Sequence, residues 1–243
     1  CLGTWSIVPS TINSDIISST NIDFIIIDQE HGPINFETAQ NMVIACENNK
    51  VSPLIRTGGV EESSLLRALD IGCHGIQVPN INTVSQIKNL INYTKYPPEG
   101  NRGFSPFTRA GNYSIENAKQ ITNIANDNTL LGINVEGEEG IQNIDQFLEF
   151  KTLDLIFIGL FDISKSLGIP GDVKNKKVKK YLSELSKKIN NQKKYPGTIA
   201  TTIDDLKYYI DIGIKYILYL VDCEILRKSY SDVVIEFEKI KNV

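Results

Sequence analysis

The stretch Phe24-Ile25-Ile26-Ile27-Asp28-Gln29-Glu30-His31 runs four apolar residues straight into a group of polar and ionisable ones. Three of the four are β-branched, which favours a strand. No polar residue alternates with them, so the strand is expected to be covered on both faces, as in a parallel sheet flanked by helices. Seven further runs have the same form, at 4–8, 53–57, 75–79, 131–136, 155–160, 196–200 and 216–221. Between them, residues 36–48, 61–71, 83–95, 115–126, 178–190 and 203–213 show helical spacing. Asn35, Ser114 and Thr202 are expected to cap three of these helices at their N-termini. Gly72 and Gly213 are expected to close two of them in the left-handed conformation. Alternating strands and helices in 243 residues predict an α/β protein, a single-domain (β/α)8 TIM barrel over residues 1–243. The main rival, a doubly wound open sheet, usually carries a glycine-rich phosphate loop after its first strand, and the chain has no GxGxxG.

The composition bounds the function. Hydrophobic residues make up 41% and charged residues 22%, the balance of a folded protein. Twenty-nine acids against 25 Lys and Arg give a net charge of −4, without the basic surplus of a nucleic-acid or anionic-membrane binder. No run of about 18 apolar residues predicts a membrane span. The chain opens on CLGTWSIV, which reads as a strand, and no signal peptide is expected. Cys1, Cys46, Cys73 and Cys223 form no CxxC pair and are expected as free thiols of a cytoplasmic protein.

Catalytic groups of a TIM barrel come from the C-terminal ends of its strands. Those ends carry Asp28, Glu30, His31, Arg56, Asn134, Glu136, Asp162 and Asp222, so ionisable groups from five strands are expected to meet at one mouth. Buried charge is costly unless paired or bound to a metal. Glu136 and Asp162, on adjacent strand ends, are the candidate ligands of one divalent cation; hard oxygen donors suit Mg²⁺ or Mn²⁺, with Co²⁺, Zn²⁺ or Fe²⁺ also accommodated. With two histidines, a three-histidine zinc site is excluded. His31 shares the mouth, whereas His74 lies at a strand start and is expected to be structural. The Arg56 fork suits a carboxylate or an enolate oxygen. No strand ends in lysine, and Lys165 is expected in a loop, so Schiff-base chemistry is not predicted.

Six blocks, IIIDQEHGPI, PLIRTGG, LDIGCHGIQVPNINT, YPPEGNRGF, INVEGEEGIQNID and FIGLFDISKSLGIPG, resemble in that order the HpcH/HpaI aldolase family over about residues 2–226. The resemblance implies a (β/α)8 barrel, usually a hexamer, that cleaves a 4-hydroxy-2-oxo acid to pyruvate and an aldehyde with a divalent metal. It implies His31 as proton acceptor, Arg56 as stabiliser of the transition state, and Glu136 and Asp162 as metal ligands. It also implies Asp70 as the group that raises the basicity of the histidine; the periodicity puts Asp70 near a helix end, away from the mouth, so it would reach His31 only through an unexpected detail of the fold or from a neighbouring subunit. Substrate contacts are implied at Asn134, Phe161 (through its backbone N–H), Asp162 and Arg56. Asn134 replaces a family glutamine and Leu160 a common proline, departures that bear on the choice of aldehyde.

Two other functions fit less of the sequence. An acyl-CoA lyase would need a basic site for the CoA phosphates, for which Arg102 and Arg109 in the long segment 97–112 are the only candidates near a mouth. A barrel without catalysis, acting as a binding subunit, would not need His31, Arg56, Glu136 and Asp162 together. Segment 97–112 also carries Phe104 and Phe107 with little helix or strand signal, and is expected to pack against another copy of the chain in a homo-oligomer.

Overall fold

In the computed structural model, which describes residues 1–116 and 118–241, eight parallel strands close into a barrel in sequence order. The strands are β1 (Leu2–Ser6), β2 (Phe24–Asp28), β3 (Ser52–Arg56), β4 (Gly75–Val78), β5 (Leu130–Val135), β6 (Leu155–Ile158), β7 (Tyr195–Ala200) and β8 (Tyr216–Val221). The helices are α1 (Thr11–Ser18), α2 (Phe36–Asn48), α3 (Glu62–Asp70), α4 (Val84–Thr94), α5 (Ala118–Asn128), α6 (Glu138–Gln142) and α7 (Ile144–Leu148). After them come α8 (Leu160–Ser166), α9 (Lys176–Asn191), α10 (Ile203–Asp211) and α11 (Asp222–Lys241). β8 pairs with β1 and so removes the sheet edges.

Each strand is buried on both sides, but its two faces do different things. On β2, Phe24 and Ile26 join Trp5, Leu54, Leu155, Phe157, Tyr216 and Leu218 inside the barrel. Ile27 instead packs outward, in a cluster with residues of the surrounding helices. The alternation continues upward, so Asp28, Arg56, Gln77 and Asn134 fall at inward-facing positions. The apolar layers are therefore a floor on which polar residues stand.

Asn35 and Thr202 cap α2 and α10 as expected, each accepting a backbone N–H, and Gly72 and Gly213 take φ of +85° and +84°. Ser114 does not cap a helix. Its hydroxyl accepts the N–H of Glu116 in a turn, and α5 begins at Ala118; Asn117 lies outside the described residues. Lys165 is in the last turn of α8 rather than a loop, because the chain turns into that helix directly after Gly159.

Asp222 stands at the end of β8, as expected, but is fully engaged by its own chain. It is buried and accepts hydrogen bonds from Ser6 Oγ, Asn13 Nδ2 and the N–H groups of Ile7, Val8 and Cys223. Its carboxylate ties the start of α11 to the β1–α1 turn.

All four cysteines are free thiols. Burial pushes Cys73 up to about 12 and Cys46 up to about 11, so neither is a ready nucleophile. No helix among the described residues is long and apolar enough to cross a membrane.

Candidate active site

Asp28 organises the mouth. It ends β2, is 1% exposed, and receives Arg56 Nε at 2.9 Å and Nη2 at 2.5 Å. The register that sets Asp28 beside Arg56 makes this bidentate fork possible. Asp28 Oδ1 also accepts the N–H groups of Glu30 and His31 at 3.0 and 3.3 Å, which folds the Gln29–His31 turn over the strand end. The guanidinium lies 4.0 Å above the Trp5 ring and reaches Glu30 Oε2 with Nη1 at 3.2 Å. Arg56 is thus held from three sides, with N–H groups to spare for a ligand. His31 differs: its side chain is 69% exposed, and its nearest charged neighbour is Glu30 at 3.8 Å.

Glu136 and Asp162 meet across Gly159. A Cβ at Gly159 would lie 3.1 Å from Glu136 Cγ and 3.6 Å from Asp162 Oδ2, so the absent side chain leaves the space between the two carboxylates clear. Glu136 Oε2 accepts the Asn80 N–H at 3.2 Å and Oε1 accepts Asn134 Nδ2 at 2.9 Å. Asp162 stands in the first turn of α8, not on β6, which ends at Ile158. Among the described residues no three His, Cys, Asp or Glu side chains converge on one point. Two hard carboxylates, Glu136 and Asp162, could hold a cation here and leave its other positions to water and substrate.

Asn134 is fully buried behind Glu136, its amide shared between Gln77 and that glutamate. Phe161 is half exposed, and its N–H lies in the first turn of α8, where helix N–H groups lack intrahelical partners. Asp70 ends α3, which returns the chain from the mouth to the opposite end of the barrel, and pairs there with the buried Arg102 at 2.8 Å. It does not meet His31 within one chain. Arg109 is at the same far end, paired with Glu47, so neither arginine of the long segment reaches its own mouth. That far end also holds a cavity of about 820 Å³ lined by Phe24, Cys73, His74, Arg102 and Tyr216.

The matched sequence profile is that of HpcH/HpaI aldolase/citrate lyase, over residues 3–226. The chain belongs to that family. Its relatives include the hydroxypyruvate/pyruvate aldolase of Roseobacter denitrificans, 26% identical over 98% of this chain and 92% of that protein. The 5-keto-4-deoxy-D-glucarate aldolase of Shigella boydii is 24% identical over the same shares. The crystal structure of the HpcH/HpaI aldolase from Desulfitobacterium hafniense superposes with a TM-score of 0.91, at 23% identity over 100% of this chain and 93% of that one. This chain is an aldolase, a carbon–carbon lyase.

Glu30 is the participant of this aldolase's mouth that strand-end reading noticed but gave no role. Burial lifts its carboxyl above the usual value against the pull of Arg56, and nearby Glu136 and Asp28 add to the rise. A carboxyl with a raised folded-state pKa stabilises the fold fully below its unfolded value, near 4.5, and that contribution is lost as pH rises through the folded value. Glu30→Gln should therefore melt above the wild type at about pH 7, with the difference shrinking as the pH falls through the raised folded-state value toward about 4.5 and levelling off below it. Thermal melts of both proteins across that range check it; a variant less stable at neutral pH would mean that the Arg56 contact outweighs burial.

Proposed function

We propose that this chain is a metal-dependent pyruvate aldolase that cleaves, and in reverse forms, a 4-hydroxy-2-oxo acid, giving pyruvate and an aldehyde. The observation that supports this best is the pairing of Glu136 and Asp162 across Gly159, beside an arginine already fixed by Asp28. Glu136 and Asp162 would hold the cation, Mg²⁺ or Mn²⁺ by donor hardness, with Co²⁺, Zn²⁺ or Fe²⁺ as alternatives. When bound, the cation would polarise the 2-oxo group.

The protein's own groups then divide the work. The exposed His31 takes the proton of the 4-hydroxyl. The oxygen's electrons close the aldehyde carbonyl, the C3–C4 bond breaks, and its pair passes to the pyruvate enolate. Arg56, with Nε and Nη2 committed to Asp28, turns its free N–H groups to the developing negative charge. The Phe161 N–H, in the first turn of α8, receives the substrate carboxylate, beside Asp162. A proton returned to C3 gives pyruvate. A retro-aldol screen over 4-hydroxy-2-oxo acids, read by pyruvate release after chelation and re-addition of metals, tests the reading. Activity that survives full chelation would end it.

We place the working enzyme in the cytoplasm as a homo-oligomer, a hexamer by its resemblance. Support comes from α11, whose main contacts are with β1 and β8, while Leu226, Tyr230, Val234, Phe237 and Ile240 stay exposed. The helices α1 and α10 flank the position of the eighth outer helix of a barrel and leave Ile12, Ile16 and Ile210 exposed. A second copy offers a matching apolar surface. Phe107, 66% exposed, borders a groove that contains Asp70, and Phe104 packs edge-on against Tyr96. Phe104→Ser with Phe107→Ser should lower both the sedimentation coefficient and turnover; a fully active monomer would sink this part of the proposal.

A further inference from the structure

We infer that Gln77 and Tyr216 act with Asn134 as positioning residues for Glu136, forming a buried hydrogen-bonded line that sets the affinity of the mouth for its cation. The inference rests on reading Glu136 as a metal ligand.

The line crosses the barrel interior from floor to rim. Tyr216, the first residue of β8, donates its hydroxyl to Gln77 Oε1 at 3.2 Å. Gln77 Nε2 donates to Asn134 Oδ1 at 2.5 Å, and Asn134 Nδ2 donates to Glu136 Oε1 at 2.9 Å. Gln77 and Asn134 have no exposed surface. Tyr216 is anchored by its ring, stacked on Phe24 with centroids 4.2 Å apart and planes 20° apart. Its complete burial holds the phenol well above its ordinary range, so it stays a donor.

The direction of the line is what ties it to Glu136. A carboxylate accepts and cannot donate, so Asn134 must present Nδ2 to it. That turns Oδ1 toward Gln77, which must answer with Nε2 and leave Oε1 for a hydroxyl. Tyr216 supplies one. Reversing any amide would set two acceptors against each other at the rim. Meanwhile the Asn80 N–H holds Oε2, so each Glu136 oxygen carries one fixed hydrogen bond and keeps lone pairs for a cation. A barrel interior otherwise filled by Phe, Leu and Ile does not need amides here, and burying them is costly unless they are bonded. Outer-shell partners of this type typically change metal affinity by about 10–100-fold.

Removing Tyr216's hydroxyl alone strands Gln77 Oε1, whereas replacing Gln77 and Tyr216 together leaves only Asn134 Oδ1 without its donor. The test therefore uses the double variant Gln77→Met/Tyr216→Phe, which keeps side-chain length and the stacked ring, with Tyr216→Phe alone beside it. Mn²⁺ binding is counted by electron paramagnetic resonance on the full chain, with thermal melts of the same samples. The expected result is a double variant that stays folded, melts below the wild type because Asn134 Oδ1 has lost its donor, and binds Mn²⁺ about 10–100-fold more weakly, with a smaller loss of affinity for Tyr216→Phe. Wild-type affinity in the double variant would overturn the inference. So would unchanged affinity in Tyr216→Phe if the double variant proved unfolded. A wild-type chain that binds no divalent cation would instead overturn the metal reading on which the inference stands.

Discussion

Glu136→Ala and Asp162→Ala should each leave the barrel folded, strip the cation, and lower retro-aldol turnover by about a thousandfold or more. The size follows from the task of the cation. Polarising a carbonyl against developing negative charge is worth several kcal/mol, and about 4 kcal/mol is about a thousandfold in rate. With two protein ligands, losing one leaves too little to hold the ion against water. Folding is spared because neither carboxylate is part of a buried ion pair: Asp162 is exposed, and Glu136 is held by one backbone N–H and one amide. Metal analysis of the purified variants, with circular dichroism as the control, checks both halves. Full occupancy in both variants would mean that the ligands lie elsewhere.

Arg56→Ala should cost both stability and chemistry. The Asp28–Arg56 pair has side chains 1% and 11% exposed, so deleting the arginine leaves a carboxylate buried without its partner, a loss of about 3–5 kcal/mol. The contact with the Trp5 ring goes with it. On the chemical side, the variant should no longer exchange the methyl protons of pyruvate into deuterium oxide. Enolisation forms the enolate of the cleavage step without an aldehyde, so NMR of that exchange isolates the role of the arginine. Urea melts supply the stability difference. Exchange at the wild-type rate, in samples shown to be folded, would confine Arg56 to holding the turn that carries Glu30 and His31.

The barrel was legible because eight apolar runs alternate with helical spacing, and their order admits few closed arrangements. The residues at the mouth were legible for a related reason. Asp28, Arg56 and Glu136 interrupt or end runs of otherwise apolar residues, where an ionised side chain needs a partner. Asp222 ends its run in the same manner and is structural. Its five hydrogen-bond donors come from segments more than 200 residues away and from its own neighbour, which no local pattern displays. Gln77 and Tyr216 gave little signal either, since a lone glutamine or tyrosine inside a buried strand reads as filler. Their link exists only because barrel closure brings the start of β8 across from β4. Asp162 was expected at a strand end, but β6 stops at Ile158 and a helical turn after Gly159 presents the carboxylate.

The exposed helix α11 has a consequence for how this molecule responds to dilution. A chain that covers its apolar surface only by meeting another copy ties its folding equilibrium to mass action. Its apparent melting temperature then rises with protein concentration, as it does for any species stabilised by a ligand. In the proposed homo-oligomer the ligand would be the chain itself. Because β8 and β1 form the closing seam of the barrel, and α11 leaves from the end of β8, the seam would be the part most sensitive to that concentration in such an oligomer. Scarcity of chains would thus open the cylinder at the seam, at some distance from Glu136 and Asp162, before any substrate is present.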